Sequence, residues 1–362
     1  MEEPKPMARG CDMASRVLNQ LAICCVLASG IGAAQDVYVA GFAAKKLYRL
    51  TPDRLVKSIP LPGNPLDLVF SGDGQYLYVS EPNRDGVSVL RTSDDSVVAL
   101  IPTPSSPAKM AVGNADTRLY VANDSVAPPH VTIVDIAKCS QGRKNSVLGS
   151  IDISAHGAGS AFAVATFGAL LAVGTRTGHV LLYDTAVFPP AFISVRAIGS
   201  RVRHVIFSPF GTKLYVLLGG SALENDDSGG VTPPGNLHVL RVPTLELKKV
   251  VSAGRSGLRW AALVGASHLY VTDVRGWLHT IDVGSDAVTG SAAVGRQLSG
   301  IAATDNRLFV ADIEEDLLRT IAPAARDRQA QVVGSVSLER HAAPTGVAVL
   351  PANRAASSDR VR

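Results

Sequence analysis

Six residues with charged, imidazole or indole side chains stand at the starts of short apolar runs, and we treat them as the candidate binding residues. Arg203 and His204, for example, precede Val205-Ile206-Phe207. Lysine and arginine make charge-assisted hydrogen bonds to carboxylates and phosphates, and a histidine can serve as a general base. If the fold brings these separated positions together, they predict a site for a small anionic ligand. The six residues are Asp67, Lys109, Arg203, His204, Arg259 and Trp260.

Sequence motifs for catalysis are absent. Gly254-Arg255-Ser256-Gly257 lacks the last glycine of a nucleophile elbow, there is neither a His-Glu-x-x-His pair nor a Walker loop, and the eight histidines are dispersed. The acidic run at Glu224, Asp226 and Asp227 lacks the alternating spacing of a calcium loop, so we interpret it as a solvated tip. We therefore predict no cofactor, no metal site and no catalytic residue, and an enzyme is the less favoured class.

The composition is that of a folded protein rich in turns. The 362 residues are 46% apolar and 18% charged, with 33 glycines, 21 prolines and 5% aromatic residues. Beyond the N-terminal segment no stretch has the ~18 apolar residues of a membrane helix, so we expect no membrane span in the mature chain. The net charge of +4 comes from scattered Lys and Arg, so a nucleic-acid partner is not expected.

The N-terminal segment has the pattern of a secretory signal peptide. From Met13, a basic start is followed by an apolar run of about a dozen residues and a small-residue ending at Ala33-Ala34. We predict a signal peptide over 1–34, with cleavage after Ala34 and with 1–12 as an extension from an upstream start. The protein is then secreted or periplasmic; an uncleaved anchor helix is the alternative. Three of the four cysteines leave with this segment, so an internal disulfide is not expected.

A motif of an aliphatic residue, an aromatic residue and valine recurs along the rest of the chain. The copies start 40, 42, 52, 43, 55 and 39 residues apart. Each is followed by β-prone runs bounded by turn residues, and no long window has a helical period. A unit of about forty residues suits the four strands of one propeller blade. The seven copies are Val37-Tyr38-Val39, Leu77-Tyr78-Val79, Leu119-Tyr120-Val121, Leu171-Ala172-Val173, Leu214-Tyr215-Val216, Leu269-Tyr270-Val271 and Leu308-Phe309-Val310.

The two ends of the repeat region indicate how the ring closes. The region begins on a second-type strand at residues 36–40, whereas the last strand, residues 344–349, is of the innermost type. The C-terminus therefore supplies the strand that the first unit lacks, and no sheet edge is left at the seam. We predict an all-β, seven-bladed β-propeller over 35–351 whose N- and C-terminal strands share one blade, followed by a disordered tail over 352–362.

Several segments resemble the YVTN-type β-propeller repeat. They are residues 71–79 (SGDGQYLYV), 119–123 (LYVAN), 131–135 (VTIVD) and 344–349 (PTGVAV). The resemblance covers nearly the whole region after residue 35, and the fourth copy departs from it because Ala172 replaces the aromatic residue. It implies the fold and an exported binding protein, but no particular activity. Similar propellers include lactonases and the heavy chains of periplasmic amine dehydrogenases.

Strand parity predicts which face binds. Loops between second and third strands (81–86, 123–130 and 219–236) open on the same face as the starts of the innermost strands, so the six candidate residues would crowd the mouth of the central channel. We predict a monomeric scaffold that docks a small anionic ligand, or a periplasmic or extracellular protein, on this face. One alternative is a lactonase-like hydrolase that uses a metal or a histidine general base, for which His204 is the candidate. The other is a non-catalytic accessory subunit of a periplasmic redox system. Cys139 falls in a loop, 137–145, on the opposite face.

Overall fold

The computed structural model describes residues 35–113, 115–124, 128–140, 146–199, 201–219, 235–254, 256–324 and 329–351. All the strands described below lie in one compact unit, Asp36–Arg362. The predicted signal peptide, the predicted tail and the acidic run at 224–227 lie outside the described residues. No helix in the described ranges is long and apolar enough to cross a membrane.

In the described residues, twenty-eight strands form seven antiparallel four-stranded sheets, which are the blades. Blade 1 contains β1 (Val37–Gly41), β2 (Lys46–Thr51) and β3 (Arg54–Pro60). Blade 2 contains β4 (Leu68–Phe70), β5 (Tyr76–Glu81), β6 (Gly86–Arg91) and β7 (Ser96–Pro102). Blade 3 contains β8 (Pro107–Gly113), β9 (Arg118–Asn123), β10 (His130–Asp135) and β11 (Val147–Asp152). Blade 4 contains β12 (Ala161–Phe167), β13 (Leu170–Thr175), β14 (His179–Asp184) and β15 (Ala191–Ala197).

The remaining blades follow in the same order. Blade 5 contains β16 (Val202–Phe207), β17 (Lys213–Leu218), β18 (Asn236–Arg241) and β19 (Leu247–Ser252). Blade 6 contains β20 (Leu258–Val264), β21 (His268–Asp273), β22 (Trp277–Asp282) and β23 (Ala287–Ala293). Blade 7 contains β24 (Leu298–Ala303), β25 (Leu308–Asp312), β26 (Leu317–Ala322) and β27 (Gln331–Ser337). β28 (Pro344–Val349) returns to blade 1, whose strand order is β28-β1-β2-β3. Short helices are α1 (Ile136–Ser140) and the 3-10 turns Pro82–Arg84 and Ser154–His156.

The two ends of the repeat region close the ring within blade 1. β28 pairs with β1 in antiparallel register, with Val37 opposite Val349 and Val39 opposite Val347. β28 also contacts the innermost strands on either side, β24 and β4. The predicted all-β, seven-bladed β-propeller with a shared terminal blade is therefore confirmed.

The apolar core lies between blades. Seven clusters of buried side chains occupy the seven interfaces between neighbouring blades. Successive residues of a strand point to opposite faces, so Tyr38 packs toward blade 2 while Val37 and Val39 pack toward blade 7. Every copy of the repeated motif lies on a second strand and is fully buried. The motif recurs because each second strand must be apolar on both faces.

Three of the motif tyrosines hydrogen-bond the blade that follows their own. Tyr38 Oη donates to Asp95 Oδ1 at 2.8 Å, and Tyr215 Oη donates to Asp286 Oδ1 at 2.9 Å. Both carboxylates lie in the turn between the third and fourth strands of the following blade. Tyr270 Oη accepts the Ala324 N–H at the corresponding connection of blade 7. In these three copies the aromatic position therefore supplies a buried hydrogen bond between blades as well as apolar area.

We expect Tyr38→Phe to lower the free energy of unfolding by about 2 kcal/mol, because it removes a buried hydrogen bond to a charged group. Tyr120→Phe is the matched control: the Tyr120 hydroxyl is equally buried but has no hydrogen-bond partner among the described residues. That change should not lower the free energy of unfolding, because it removes a buried hydroxyl that makes no hydrogen bond. Urea unfolding of both variants measures the difference, and equal losses would argue against the inter-blade hydrogen bond.

Cys139 lies on a short helix, and the prediction of a loop at this position is wrong. Helix α1 follows β10 directly, with the Lys138 N–H donating to the side chain of Asp135. Cys139 is fully buried, and its thiol donates to the Ile136 carbonyl at 3.2 Å and lies 4.0 Å from Tyr78 Oη. A small polarisable side chain thus fills the space that Asp95 and Asp286 occupy beside the tyrosines of blades 1 and 5.

Candidate functional site

Most of the innermost strands contain a β-bulge near the channel mouth, and the bulge changes the direction of the side chains there. Across the described chain, six of the seven innermost strands carry an irregular register near their start. A bulge leaves its extra residue out of the strand pairing and turns it away from the sheet. The residues at the bulges are Ala108–Lys109, Phe162, Arg203, Arg259–Trp260, Ser299–Gly300 and Thr345–Gly346.

Blade 2 has a different start to its innermost strand. β4 begins only at Leu68, and Asp67 is held against the second strand by Ser80. The Ser80 N–H donates to the Asp67 carbonyl at 3.1 Å, and the Asp67 N–H donates to Ser80 Oγ at 3.0 Å. Asp67 is therefore buried below the mouth rather than exposed at its rim.

A cavity of about 320 Å³ opens at this mouth. Its walls come from the loops between second and third strands and from the bulged starts of the innermost strands. Every blade contributes at least one lining residue: Phe42, Pro82, Lys109, Phe162, Arg203, Trp260 and Ile313, in order of blade number.

Four of the six predicted residues line the cavity. They are Lys109, Arg203, Arg259 and Trp260. His204 contacts two of these side chains, and Asp67 interacts electrostatically with Lys109. The structure thus brings the six positions into one neighbourhood, and their role in binding stays a prediction.

Lys109 is held by an imidazole and an indole. Its Nζ lies 2.7 Å from His204 Nδ1 and 3.3 Å from the centre of the Trp260 ring. When Lys109 is protonated, His204 Nδ1 accepts this hydrogen bond, because an ammonium group can only donate. Burial, and then the Lys109 charge, lower the pKa of His204 well below its ordinary value, while a hydrogen bond with the Ala261 backbone acts in the opposite direction.

A buried carboxyl and a buried amine oppose each other below the mouth. Burial raises the pKa of Asp67, whereas the Lys109 charge and a hydrogen bond from the Met110 N–H lower it. The Met110 N–H donates to Asp67 Oδ2 at 2.8 Å. Burial lowers the pKa of Lys109, and the attraction of Asp67 raises it. The charges of Arg203 and Arg259 lower it further. Lys109 therefore loses its proton more readily than a solvent-exposed lysine does.

Asp124, Phe162 and Arg176 line the cavity and were not among the predicted residues. Arg176 Nε donates to Asp124 Oδ1 at 2.5 Å, and its guanidinium carbon lies 4.2 Å from the centre of the Phe162 ring. The guanidinium of Arg203 lies on the same ring at 5.9 Å. Asp124 and Arg176 follow second strands, in the loops that parity places on this face, and that was the one available signal.

The charge of the lining favours an anion. Lys109, Arg176, Arg203 and Arg259 line the cavity, whereas Asp124 is the one carboxylate among its described lining residues. Phe42, Phe162 and Trp260 supply apolar wall. Within the described residues, no group of three or more His, Cys, Asp or Glu side chains is arranged to hold a metal ion.

A second cavity, of about 570 Å³, lies in blade 6 around Asp273, which accepts from Ser256 Oγ at 2.7 Å. His279 Nε2 lies 3.5 Å from Asp273 Oδ2, and its Nδ1 lies 2.8 Å from Ser291 Oγ. Asp273 also accepts the backbone N–H groups of the turn that follows it. Polar residues end the second strands of other blades in the same way, so this cluster ties a turn to its strands. These are Glu81, Asn123 and Asp312.

No family model matches the chain. It is 34% identical over 110 residues to the uncharacterized protein YwhL of Bacillus subtilis, a match that covers 30% of this chain and 24% of YwhL. It is 33% identical over 101 residues to the seven-bladed beta-propeller protein Rv1057 of Mycobacterium tuberculosis, covering 27% of this chain and 24% of Rv1057. The matches thus cover about a quarter of each relative.

Solved structures share the fold. A functionally unknown protein from Desulfotomaculum acetoxidans has a TM-score of 0.67 at 14% identity, covering 87% of this chain and 98% of that one. AztD from Citrobacter koseri has a TM-score of 0.63 at 13% identity, covering 87% and 97%. Hydrazine synthase from Kuenenia stuttgartiensis has a TM-score of 0.60 at 15% identity, covering 71% and 76%. At these identities the likeness concerns the propeller fold alone.

Proposed function

We propose that the protein is an exported binding scaffold of the YVTN type whose channel mouth holds a small anionic ligand. The observation that carries the proposal is the convergence of Lys109, Arg176, Arg203 and Arg259, from four different blades, on one cavity. Holding like charges together opposes folding through their mutual repulsion. An anion bound among them would relieve that repulsion.

The cavity sets the size and character of the ligand. Its volume of about 320 Å³ is near the lower end for small-molecule sites. Its aromatic walls suit an apolar body, and its guanidinium groups suit a carboxylate or phosphate, which arginine can bind through two parallel hydrogen bonds. Export rests on the sequence pattern of residues 1–34, and the monomeric state rests on the closed ring.

Hydrolysis with His204 as the base is less well supported. His204 Nδ1 already accepts from Lys109, and the ring also hydrogen-bonds the Ala261 backbone. A general base must reach the proton that it removes from the attacking group. The accessory role in a redox system rests on the family resemblance alone.

We expect small anions to raise the melting temperature of the wild type and not that of Arg203→Ala/Arg259→Ala. Loss of two charge-assisted hydrogen-bonding groups should weaken binding by at least about a hundredfold. The measurement is thermal shift and calorimetry with succinate, citrate, lactate and inorganic phosphate. His204 is left intact because removing it would disturb Lys109.

The matched control is Arg54→Ala/Arg307→Ala, which removes the same charge from exposed positions at turns on the opposite face. It should bind like the wild type. Equal weakening in both double variants would indicate a response to net charge. If none of the four anions raised the wild-type melting temperature at millimolar concentration, the proposal would be overturned.

A further inference from the structure

Lys109 differs from the other buried or paired lysines of the protein. Lys46, Lys57 and Lys138 each lie within 4.0 Å of a carboxylate oxygen, as do Lys213 and Lys248. The Lys109 ammonium instead contacts a neutral imidazole and the face of an indole. It is 4% exposed and lines the cavity at the mouth.

This setting is the one in which a lysine acts as a nucleophile. Burial and neighbouring cations favour the neutral amine, which is the reactive form. Arg203 and Arg259 line the same cavity and act electrostatically on Lys109. His204 Nδ1, at 2.7 Å, is placed to take a proton from the amine and to return it.

The arginines restrict which carbonyl compound would react. Arg203, Arg259 and Lys109 line the same small cavity, so a carboxylate bound by the two arginines shares that cavity with the Lys109 amine. A 2-oxo carboxylate carries its carbonyl at the carbon next to the carboxylate. We propose that Lys109 forms an imine with a small 2-oxo carboxylate bound at the channel mouth. This inference rests on the proposed anion site.

The reaction balances without a further reactant. The ammonium of Lys109 passes one proton to His204 Nδ1, and the amine attacks the carbonyl carbon to form a C–N bond. The attacking nitrogen then transfers a second proton to the former carbonyl oxygen, which gives the carbinolamine. His204 returns the proton to the carbinolamine hydroxyl, which leaves as water as the C–O bond breaks. The sum is R-CO-COO⁻ plus Lys-NH₃⁺ giving R-C(=NH⁺-Lys)-COO⁻ plus H₂O. The cationic imine keeps a positive charge over the Trp260 face, where the ammonium stood, so the cation–π attraction is retained.

The test is reductive trapping on the intact protein. Wild type is incubated with pyruvate and sodium cyanoborohydride, which reduces an imine to a stable amine, and the adduct is located by peptide mass spectrometry. We expect one adduct, on Lys109, at least about tenfold above that on Lys46, a partly exposed lysine paired with Glu339. Lactate, which has the carboxylate but no carbonyl, should reduce the labelling by competition.

Two variants separate chemistry from folding. Lys109→Met keeps an unbranched side chain of similar length and should abolish the adduct. Arg203→Ala/Arg259→Ala keeps the amine and should reduce the adduct at least about tenfold, because the carboxylate is no longer held. Unchanged labelling in the arginine variant would overturn the inference.

The outcomes distinguish this inference from the proposed function. If lactate or succinate binds but pyruvate leaves no adduct on Lys109, the imine is rejected and the anion site stands. If no anion binds and no adduct forms, both are rejected. Labelling of Lys109 no stronger than that of Lys46 also rejects the imine, since it would reflect ordinary amine reactivity.

Discussion

Deletion of residues 343–350 should open the ring and leave the protein insoluble. It removes β28, the pairing partner of β1, and exposes an unpaired strand edge along the channel. Val347 and Ala348 belong to the clusters between blades 7 and 1 and between blades 1 and 2. The Pro344 carbonyl accepts from Ser299 Oγ of blade 7 at 2.7 Å. An exposed edge beside open apolar clusters is a template for aggregation.

The measurement is the soluble fraction after expression, followed by size-exclusion chromatography and thermal melting. Deletion of 352–362, which begins just beyond β28, is the control and should leave the melting temperature unchanged. A soluble, monomeric 343–350 deletion with one cooperative transition would contradict closure by β28. The 343–350 deletion should destabilise the protein more than any single substitution. It removes a whole strand, whereas the free energy of unfolding of a domain is only about 5–15 kcal/mol.

Asp286→Asn should lower the free energy of unfolding by about 2–4 kcal/mol. Asp286 is fully buried in the turn after β22 and accepts from Tyr215 Oη at 2.9 Å, Lys213 Nζ at 2.7 Å and Lys248 Nζ at 2.5 Å. An amide cannot balance the two ammonium groups, and Lys213 is left with most of its surface buried. Removing one partner of a buried ion pair costs about 3–5 kcal/mol, reduced here because Lys248 is partly exposed.

The same carboxylate predicts a pH dependence. Burial would raise the pKa of Asp286, but the hydrogen bonds from Lys213, Lys248 and Tyr215 outweigh it and hold the pKa below its usual range. Its contribution is therefore fully present above the unfolded value of about 3.9 and is lost as the pH falls through the lower folded value. Urea unfolding between pH 7 and pH 3 should show a smaller loss in Asp286→Asn than in the wild type. Asp305→Asn, at an exposed turn, should follow the wild type.

The propeller was predictable because its constraint is local and repeated. Each second strand is apolar on both faces, so Leu77-Tyr78-Val79 and its six counterparts recur at the length of one blade. The strand type at each end of the repeat region followed from the same pattern, since residues 344–349 resemble other innermost strands. Gly300 and Gly346 mark that type for a physical reason: a Cβ at Gly300 would lie 2.1 Å from the Thr345 carbonyl oxygen, and one at Gly346 would lie 2.8 Å from that of Leu66.

The candidate site was predictable only in outline. Strand order indicated that the starts of innermost strands share one end of the channel, and four of the six residues chosen on that ground line the cavity. The bulges could not be predicted from the sequence, because an extra residue in a strand leaves no distinct pattern of residue types. Arg176 and Phe162 were missed for a related reason, since neither breaks the sequence pattern of its blade.

Strands that are buried at regular intervals require apolar residues at regular intervals along the chain. The number of blades, the position of the motif and the closure of the ring can therefore be predicted from the sequence alone. The contacts at the mouth are of another kind. Lys109 meets His204 across 95 positions and Trp260 from a third blade, and no local preference relates their identities. Their distances, the burial of Asp67 and the lowered pKa of Lys109 arise only when seven rigid blades converge on one axis and exclude water there.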